Sequence, residues 1–212
     1  MKVLLALFLV GSGYASEPLW EFDAGEKIIG APVVHGDHIY VSGGQSLFAL
    51  DKQGRKLWQY PAGAAIAAAV AVSGENIFLH AENGLHAVSL QGKKQWFFAA
   101  PDRPLAIDGK SWGWGEGVFT DPWAWYRSDP IVAGDSVFVG SGSGVYAVSK
   151  ETGQQQWFRE TGLTHTTPAI HEGILVVGSW DNHVYGLKTD TGEIAWKLEG
   201  SLPQGAMAGW NG

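Results

Sequence analysis

A fourteen-residue pattern recurs along this chain and constrains its fold more than any other feature. In Gly144–Trp157, GVYAVSKETGQQQW, Ala147, Gly153 and Trp157 stand at relative positions 1, 7 and 11. HVYGLKTDTGEIAW repeats the spacing with Gly186, Gly192 and Trp196. Two earlier copies, SLFALDKQGRKLW and GLHAVSLQGKKQW, are one residue shorter and place Ala49, Gly54, Trp58 and Ala87, Gly92, Trp96 in the same roles. The missing residue falls in the turn, where a deletion is tolerated best. Each copy reads as a strand, a tight turn and a second strand. Position 1 is small, so something large can pack over it. The turn glycine can take the positive φ that a tight hairpin requires. The tryptophan buries a large flat ring.

Trp20, Trp58, Trp96, Trp157 and Trp196 follow one another at intervals of 38, 38, 61 and 39 residues. A strand-rich repeat near 40 residues predicts propeller blades. Four blades of four short antiparallel strands can be laid out, bounded by Gly, Asn, Asp and Ser turns. Their strands are APVVHG, HIYVSG, SLFALD, KLWQYP; AAVAVSG, NIFLHA, GLHAVSL, KQWFFA; DPIVAG, SVFVGS, GVYAVSK, QQWFRE; and TPAIHE, ILVVGS, HVYGLK, IAWKLE. No stretch has the periodicity of an amphipathic helix. LWEFDA, residues 19–24, reads as the last strand of a further blade.

The Ala-Gly-Trp spacing resembles the tryptophan-docking motif of pyrroloquinoline quinone (PQQ) repeats over roughly residues 19–200. That family includes PQQ-dependent dehydrogenases and non-enzymatic periplasmic propellers, among them the propeller lipoprotein of the outer-membrane β-barrel assembly machinery. The resemblance implies an all-β propeller of seven or eight blades, of which about four are present. The lone first strand and the tail SLPQGAMAGWNG then suggest the N-terminal part of a longer protein. A four-bladed ring with a spare strand and a dimer of half-rings are the alternatives. Because the same blade serves enzymes and scaffolds, the motif specifies fold more than function.

Residues 1–15 have the form of a secretory signal, with Lys2, an apolar run Val3–Val10, and small residues Gly13 and Ala15 for cleavage near Ala15. Eight apolar residues are too few to span a bilayer, and no later segment is long enough. The expected location is periplasmic or secreted, with residues 16–212 forming the blades. The formal charge of −7 argues against nucleic acid as a partner. With no cysteine, neither a disulfide nor a cysteine-linked lipid anchor is open to these residues.

The interval of 61 between Trp96 and Trp157 holds an insertion of about 22 residues, within roughly residues 101–127. It carries Trp112, Trp114, Trp123, Trp125 and Tyr126, all outside the repeat. Such a loop serves either as an aromatic recognition surface or as a self-packed cap on the funnel. It links an outermost strand to the next innermost one. The topology therefore puts it on one face with Gly43-Gly44-Gln45, Glu82-Asn83, Ser141-Gly142-Ser143 and Trp180-Asp181-Asn182-His183. The four insertion tryptophans, with Tyr126 and Trp180 as neighbours, are the candidate partner-binding residues. Trp20, Trp58, Trp96, Trp157 and Trp196 with Gly54, Gly92, Gly153 and Gly192 are read as structural.

Other chemistry is sparse. The seven histidines, His35, His38, His80, His86, His165, His171 and His183, lack metal-ligand spacing and read as surface turn residues. Asp102, Asp108, Glu116 and Asp121 do not have the spacing of an EF-hand loop, and solvation is their default. Asp181-Asn182 reads as an ordinary turn. No GxSxG, HExxH, Walker or dinucleotide motif is present. The adjacent cysteine pair typical of PQQ-dependent alcohol dehydrogenases is absent. The expectation is a non-enzymatic scaffold for periplasmic or outer-membrane proteins, without a cofactor. The alternative is part of a quinoprotein dehydrogenase using PQQ and calcium.

Overall fold

The computed structural model describes residues 18–100, 116–117 and 127–200, together with the backbone of three short strands at 4–6, 106–108 and 118–120. In chain order the strands begin with β1 (Leu4–Ala6) and β2 (Glu21–Asp23). Blade one is β3 (Val33–His35), β4 (His38–Gly43), β5 (Ser46–Asp51) and β6 (Lys56–Pro61). Blade two is β7 (Ala71–Ser73), β8 (Asn76–Ala81), β9 (Gly84–Ser89) and β10 (Lys94–Phe98). A hairpin of β11 (Ala106–Asp108) and β12 (Val118–Thr120) lies in the insertion. Blade three is β13 (Ile131–Ala133), β14 (Ser136–Gly140), β15 (Gly144–Ser149) and β16 (Gln155–Glu160). Blade four is β17 (Ala169–His171), β18 (Ile174–Ser179), β19 (His183–Lys188) and β20 (Ile194–Glu199). Each blade is an antiparallel meander whose strands pair in sequence order. The described residues contain no helix.

The middle strands are sandwiched between neighbouring sheets, so they are apolar on both faces rather than alternating. All six residues of β9 are buried. One cluster joins blades one and two through Tyr40, Leu47 and Tyr60 against Ile77, Leu79 and Val88. The next sets Phe78, Leu85 and Trp96 against Val137, Val139 and Tyr146. A third sets Phe138, Val145 and Trp157 against Leu175, Val177 and Tyr185. β2 covers the other side of blade one, where Phe22 meets Val41, Phe48 and Leu50.

The repeat residues explain these interfaces. Each tryptophan lies over the turn glycine of the following blade: Trp20 over Gly54, Trp58 over Gly92, Trp96 over Gly153 and Trp157 over Gly192. A Cβ on any of these glycines would stand 2.4–2.8 Å from the indole. The same glycines have φ between +68° and +79°. Two independent demands, left-handed backbone and close approach of a ring, thus select the residue. Three indoles also donate across the interface, each at 3.0 Å: Trp58 to the Leu90 carbonyl, Trp96 to Lys150 and Trp157 to Thr189.

The small residue at position 1 has a different partner. It is the cross-strand neighbour of its own blade's tryptophan: Ala49↔Trp58, Ala87↔Trp96, Ala147↔Trp157 and Gly186↔Trp196. Directly beside each pair the register slips, leaving Leu57, Gln95, Gln156 or Ala195 as the extra residue before the tryptophan. A bulge bends and twists its strand, and here it recurs four times at the position that aims the ring.

Trp196 departs from the series. It lies against its own Gly186, where a Cβ would be 2.1 Å from the indole, and it is 37% exposed whereas Trp96 and Trp157 are 9% exposed. Among the described residues no following glycine turn faces it. Trp20 departs too, since its buried Nε1 has no hydrogen-bond partner among the described residues.

A second contact accompanies each docked indole, two residues further on. Phe22 meets Phe48 edge-on at 5.3 Å, and Phe98 meets Tyr146 at 5.5 Å. Tyr60 donates to His86 Nδ1 at 3.0 Å, while His86 Nε2 donates to Asn83 at 2.8 Å. Arg159 Nε donates to the Gly192 carbonyl at 2.6 Å. Here the sequence expectation for histidine is corrected. His80, His86 and His165 are buried rather than on surface turns. The first two belong to middle strands, which are enclosed on both faces. Burial pushes His80 down to about 3 and His86 to about 4; Arg127 adds to the first and Lys94 to the second, and only the Ser128 carbonyl opposes, at His80.

Two outcomes follow from this packing. Trp96→Ala and Trp157→Ala should each lower unfolding free energy by roughly 3–5 kcal/mol, and Trp196→Ala by under about 2 kcal/mol, in urea titrations. Equal losses at all three would contradict the docking assignment. The pH dependence has a definite sign. Below pH 6.5 unfolded histidines take up protons, whereas His80 and His86 in the fold resist doing so down to about 3 and 4. Stability should therefore fall as pH drops from 6.5 towards 4. Urea midpoints across that range should show a shallower fall in the His80→Gln, His86→Gln double variant.

Candidate functional site

The connections between blades and the turns between second and third strands meet on one face, as the topology predicts. Gly44 N–H bonds the Lys27 carbonyl at 2.9 Å, Glu82 N–H the Ala65 carbonyl at 2.9 Å and Trp180 N–H the Leu163 carbonyl at 3.0 Å. Ile66 N–H returns to Gly44 at 2.8 Å, and Thr164 N–H to Ser141 at 2.9 Å. Each of these four turns is thus tied by at least one main-chain bond to an adjoining blade connection, before or after it. A rigid loop platform suits binding, because little order has to be gained when a partner arrives.

The insertion returns to the blades through Arg127, Ser128 and Asp129. Arg127 donates to the Glu82 carbonyl at 3.1 Å. His80 Nδ1 donates to the Ser128 carbonyl at 3.1 Å, and Ser128 Oγ accepts from Gly140 N–H at 2.7 Å. Asp129 Oδ1 accepts Ala69 N–H at 2.6 Å, and its Oδ2 accepts the Thr167 hydroxyl at 3.0 Å. One carboxylate therefore ties together the starts of blades two, three and four. Sequence reasoning missed this residue. Its one signal is position: it directly precedes Pro130, as Thr167 precedes Pro168 at the start of blade four.

Of the candidate residues, Trp180 lies on this face. It is half-buried, and its ring stands edge-on to His165 at 6.1 Å. Trp112, Trp114, Trp123, Trp125 and Tyr126 lie outside the described residues. The β11–β12 hairpin was not anticipated; it pairs Ala106 with Thr120 and Asp108 with Val118.

Asp181 does form the expected turn, with Oδ1 accepting His183 N–H at 3.1 Å, and it does more. Its Oδ2 accepts the Tyr185 hydroxyl and lies 3.7 Å from Lys197 Nζ, which sits over the Tyr185 ring at 4.8 Å. Burial works to raise the Asp181 pKa, but hydrogen bonds from Tyr185 and Ser179 outweigh it and hold the carboxyl below the usual range. The residue is a fixed anion inside a polar knot. No group of three His, Cys, Asp or Glu among the described residues has metal-binding geometry. Asp129 and Asp181 serve hydrogen bonds that hold the blade starts and the turn, and neither belongs to such a group.

A shallow cavity of about 350 Å³ opens where blades one and two meet this face. Ile29, Ala65, Ile66 and Ala67 line it, with Glu26 and Lys27 at the rim.

Comparison with known proteins agrees with this architecture. A search of curated protein sequences finds no match. BamB from Moraxella catarrhalis superposes with TM-score 0.68 at 19% identity, covering 88% of this chain and 54% of that one. The quinohemoprotein alcohol dehydrogenase of Comamonas testosteroni gives TM-score 0.63 at 16% identity, covering 82% and 35%. The computationally designed Ika8 protein gives 0.60 at 15% identity, covering 82% and 49%. The chain thus spans about half the length of the BamB structure and about a third of the dehydrogenase. At these identities the superpositions show a shared fold. The family model described as outer membrane protein assembly factor BamB matches residues 15–111 and 112–210. Those two matches take in nearly the whole sequence, and the chain belongs to that family of PQQ-repeat propellers.

Proposed function

We propose that this protein is a periplasmic, non-enzymatic scaffold that binds other proteins during outer-membrane or envelope assembly. Secretion through residues 1–15 would deliver it there. The observation that carries the reading is the loop face. Its turns are fixed by main-chain bonds, and the insertion that carries Trp112, Trp114, Trp123, Trp125 and Tyr126 returns to it through Arg127, Ser128 and Asp129. The opposite face offers short glycine turns already occupied by the docked indoles. Aromatic side chains supply large contact area at small entropic cost and dominate binding hot spots. Trp180 extends the same surface from blade four.

The second reading is part of a PQQ-dependent dehydrogenase. It draws on the dehydrogenase superposition, which shares the fold. No step through a quinone is assigned to the described residues.

Replacing residues 102–125 with a short Gly-Ser link, while keeping Arg127, Ser128 and Asp129, separates these readings. The thermal midpoint should hold, and co-purification with components of the outer-membrane assembly machinery should drop at least about tenfold, as for loss of a hot-spot cluster. The intact protein incubated with PQQ and calcium should give no alcohol-dependent dye reduction. Unchanged co-purification would remove the insertion from the mechanism. Dye reduction would favour the dehydrogenase.

A further inference from the structure

A two-residue turn joins the first two strands of every blade. The residues that close these turns face each other across the ladder: His35↔His38 in blade one, Ser73↔Asn76 in blade two, Ala133↔Ser136 in blade three and His171↔Ile174 in blade four. The hairpin accepts Ser, Ala, Asn or Ile at these places, so its fold has no need of histidine there. Of the four blades, blade one alone carries an imidazole on both sides of the turn.

A spacing of three in the sequence hides this relation, and the strand register exposes it. Directly opposed residues of an antiparallel pair project to the same face, with Cβ atoms about 5 Å apart. Two imidazole nitrogens bound to one tetrahedral ion stand about 3.3 Å apart, given metal–nitrogen bonds of about 2.0–2.1 Å. Rings that lean together from opposed Cβ atoms reach that separation without any shift of the backbone. The frame that holds them is stiff. Gly36 takes the left-handed conformation of the turn, φ +59°. Lys52, from the other hairpin turn of the same blade, lies 2.5 Å from Asp37 at the tip. That ion pair braces the turn and occupies Asp37, which leaves the ligating to the two rings. The His38 ring lies against Tyr40, centroids 6.2 Å apart, and Tyr40 is buried between blades one and two. His35 is exposed and His38 half-buried, so an ion arriving from solvent meets both.

We propose that His35 and His38 form a two-imidazole site for a divalent transition-metal ion, Cu2+ foremost. Imidazole suits copper, nickel and zinc, and Cu2+ heads the affinity order of the divalent first-row metals. Magnesium and calcium prefer oxygen ligands. With two protein ligands the ion is held reversibly, water fills its other positions, and the fold does not require it. The site lies among the hairpin turns, on the face opposite the loop platform, and does not depend on the proposed partner role.

Calorimetric titration of the purified protein with Cu2+, in a buffer that does not bind copper, tests the assignment. Near-ultraviolet circular dichroism checks the fold of each variant. The protein should show one site per chain that is tighter than any other. His35→Gln and His38→Gln should each weaken it about a hundredfold, because a single ring loses the gain of a second, tethered ligand. His171→Gln removes the lone closing histidine of blade four and should leave the site unchanged. Zn2+ should compete for it, and Mg2+ should not. A tight site that survives in either blade-one variant overturns the proposal, as does displacement of Cu2+ by Mg2+. An equal loss in His171→Gln, or the lack of any site tighter than the rest, would show adventitious binding to surface histidines and overturn it too.

Discussion

The indole seated on a left-handed glycine is the contact on which the rest of this structure depends. A propeller blade is a small sheet with two faces to cover and too few residues to cover either itself. Burying one tryptophan against the next turn sets the distance and angle at which the neighbouring sheet must stand. The 3.0 Å bonds from Trp58, Trp96 and Trp157 to main-chain carbonyls fix the ring's rotation as well. A large apolar ring alone could slide; a ring held by its N–H and by a glycine with no Cβ cannot. The loop face inherits this order, because each connection starts a few residues beyond a seated tryptophan.

Much of this was legible in the sequence, and the reason is that the repeat encodes local and interface geometry in the same residues. The sixteen blade strands were found because glycine, small residue and tryptophan recur at fixed intervals. What the pattern did not reveal is equally physical. A bulge leaves no mark in composition, so the extra residue before each tryptophan was invisible. The role of position 1 was only half readable: a small residue admits a ring, but the spacing does not say whose. His80 and His86 were misread because histidine is usually a surface residue. Their places in NIFLHA and GLHAVS, inside strands enclosed on both faces, were the overlooked signal.

The candidate site shows a similar division. The shared face of the loops followed from topology, since strand order alone decides which turns emerge together. Its fastening did not, because Asp129 and Arg127 are ordinary polar residues until blades two, three and four are brought beside them. Asp129 clamps three blade starts with one carboxylate, and the tether from His80 to Ser128 ties the insertion's return to blade two. Long insertions are tolerated where their ends are held close together. The face that carries extra chain is thus cross-tied where that chain rejoins the blades.

A double-mutant cycle on Trp96 and Gly153 tests the central contact most directly. Gly153→Ala places a Cβ where the indole lies, 2.7 Å from its nearest ring atom, and Trp96→Ala removes that ring. If the docking contact holds the blades together, the two changes should couple. The double variant should be more stable than the sum of the single losses predicts by about 0.5–3 kcal/mol, the range for residues in direct contact. Additive losses, within about 0.5 kcal/mol, would show that tryptophan and glycine act separately and would contradict the account.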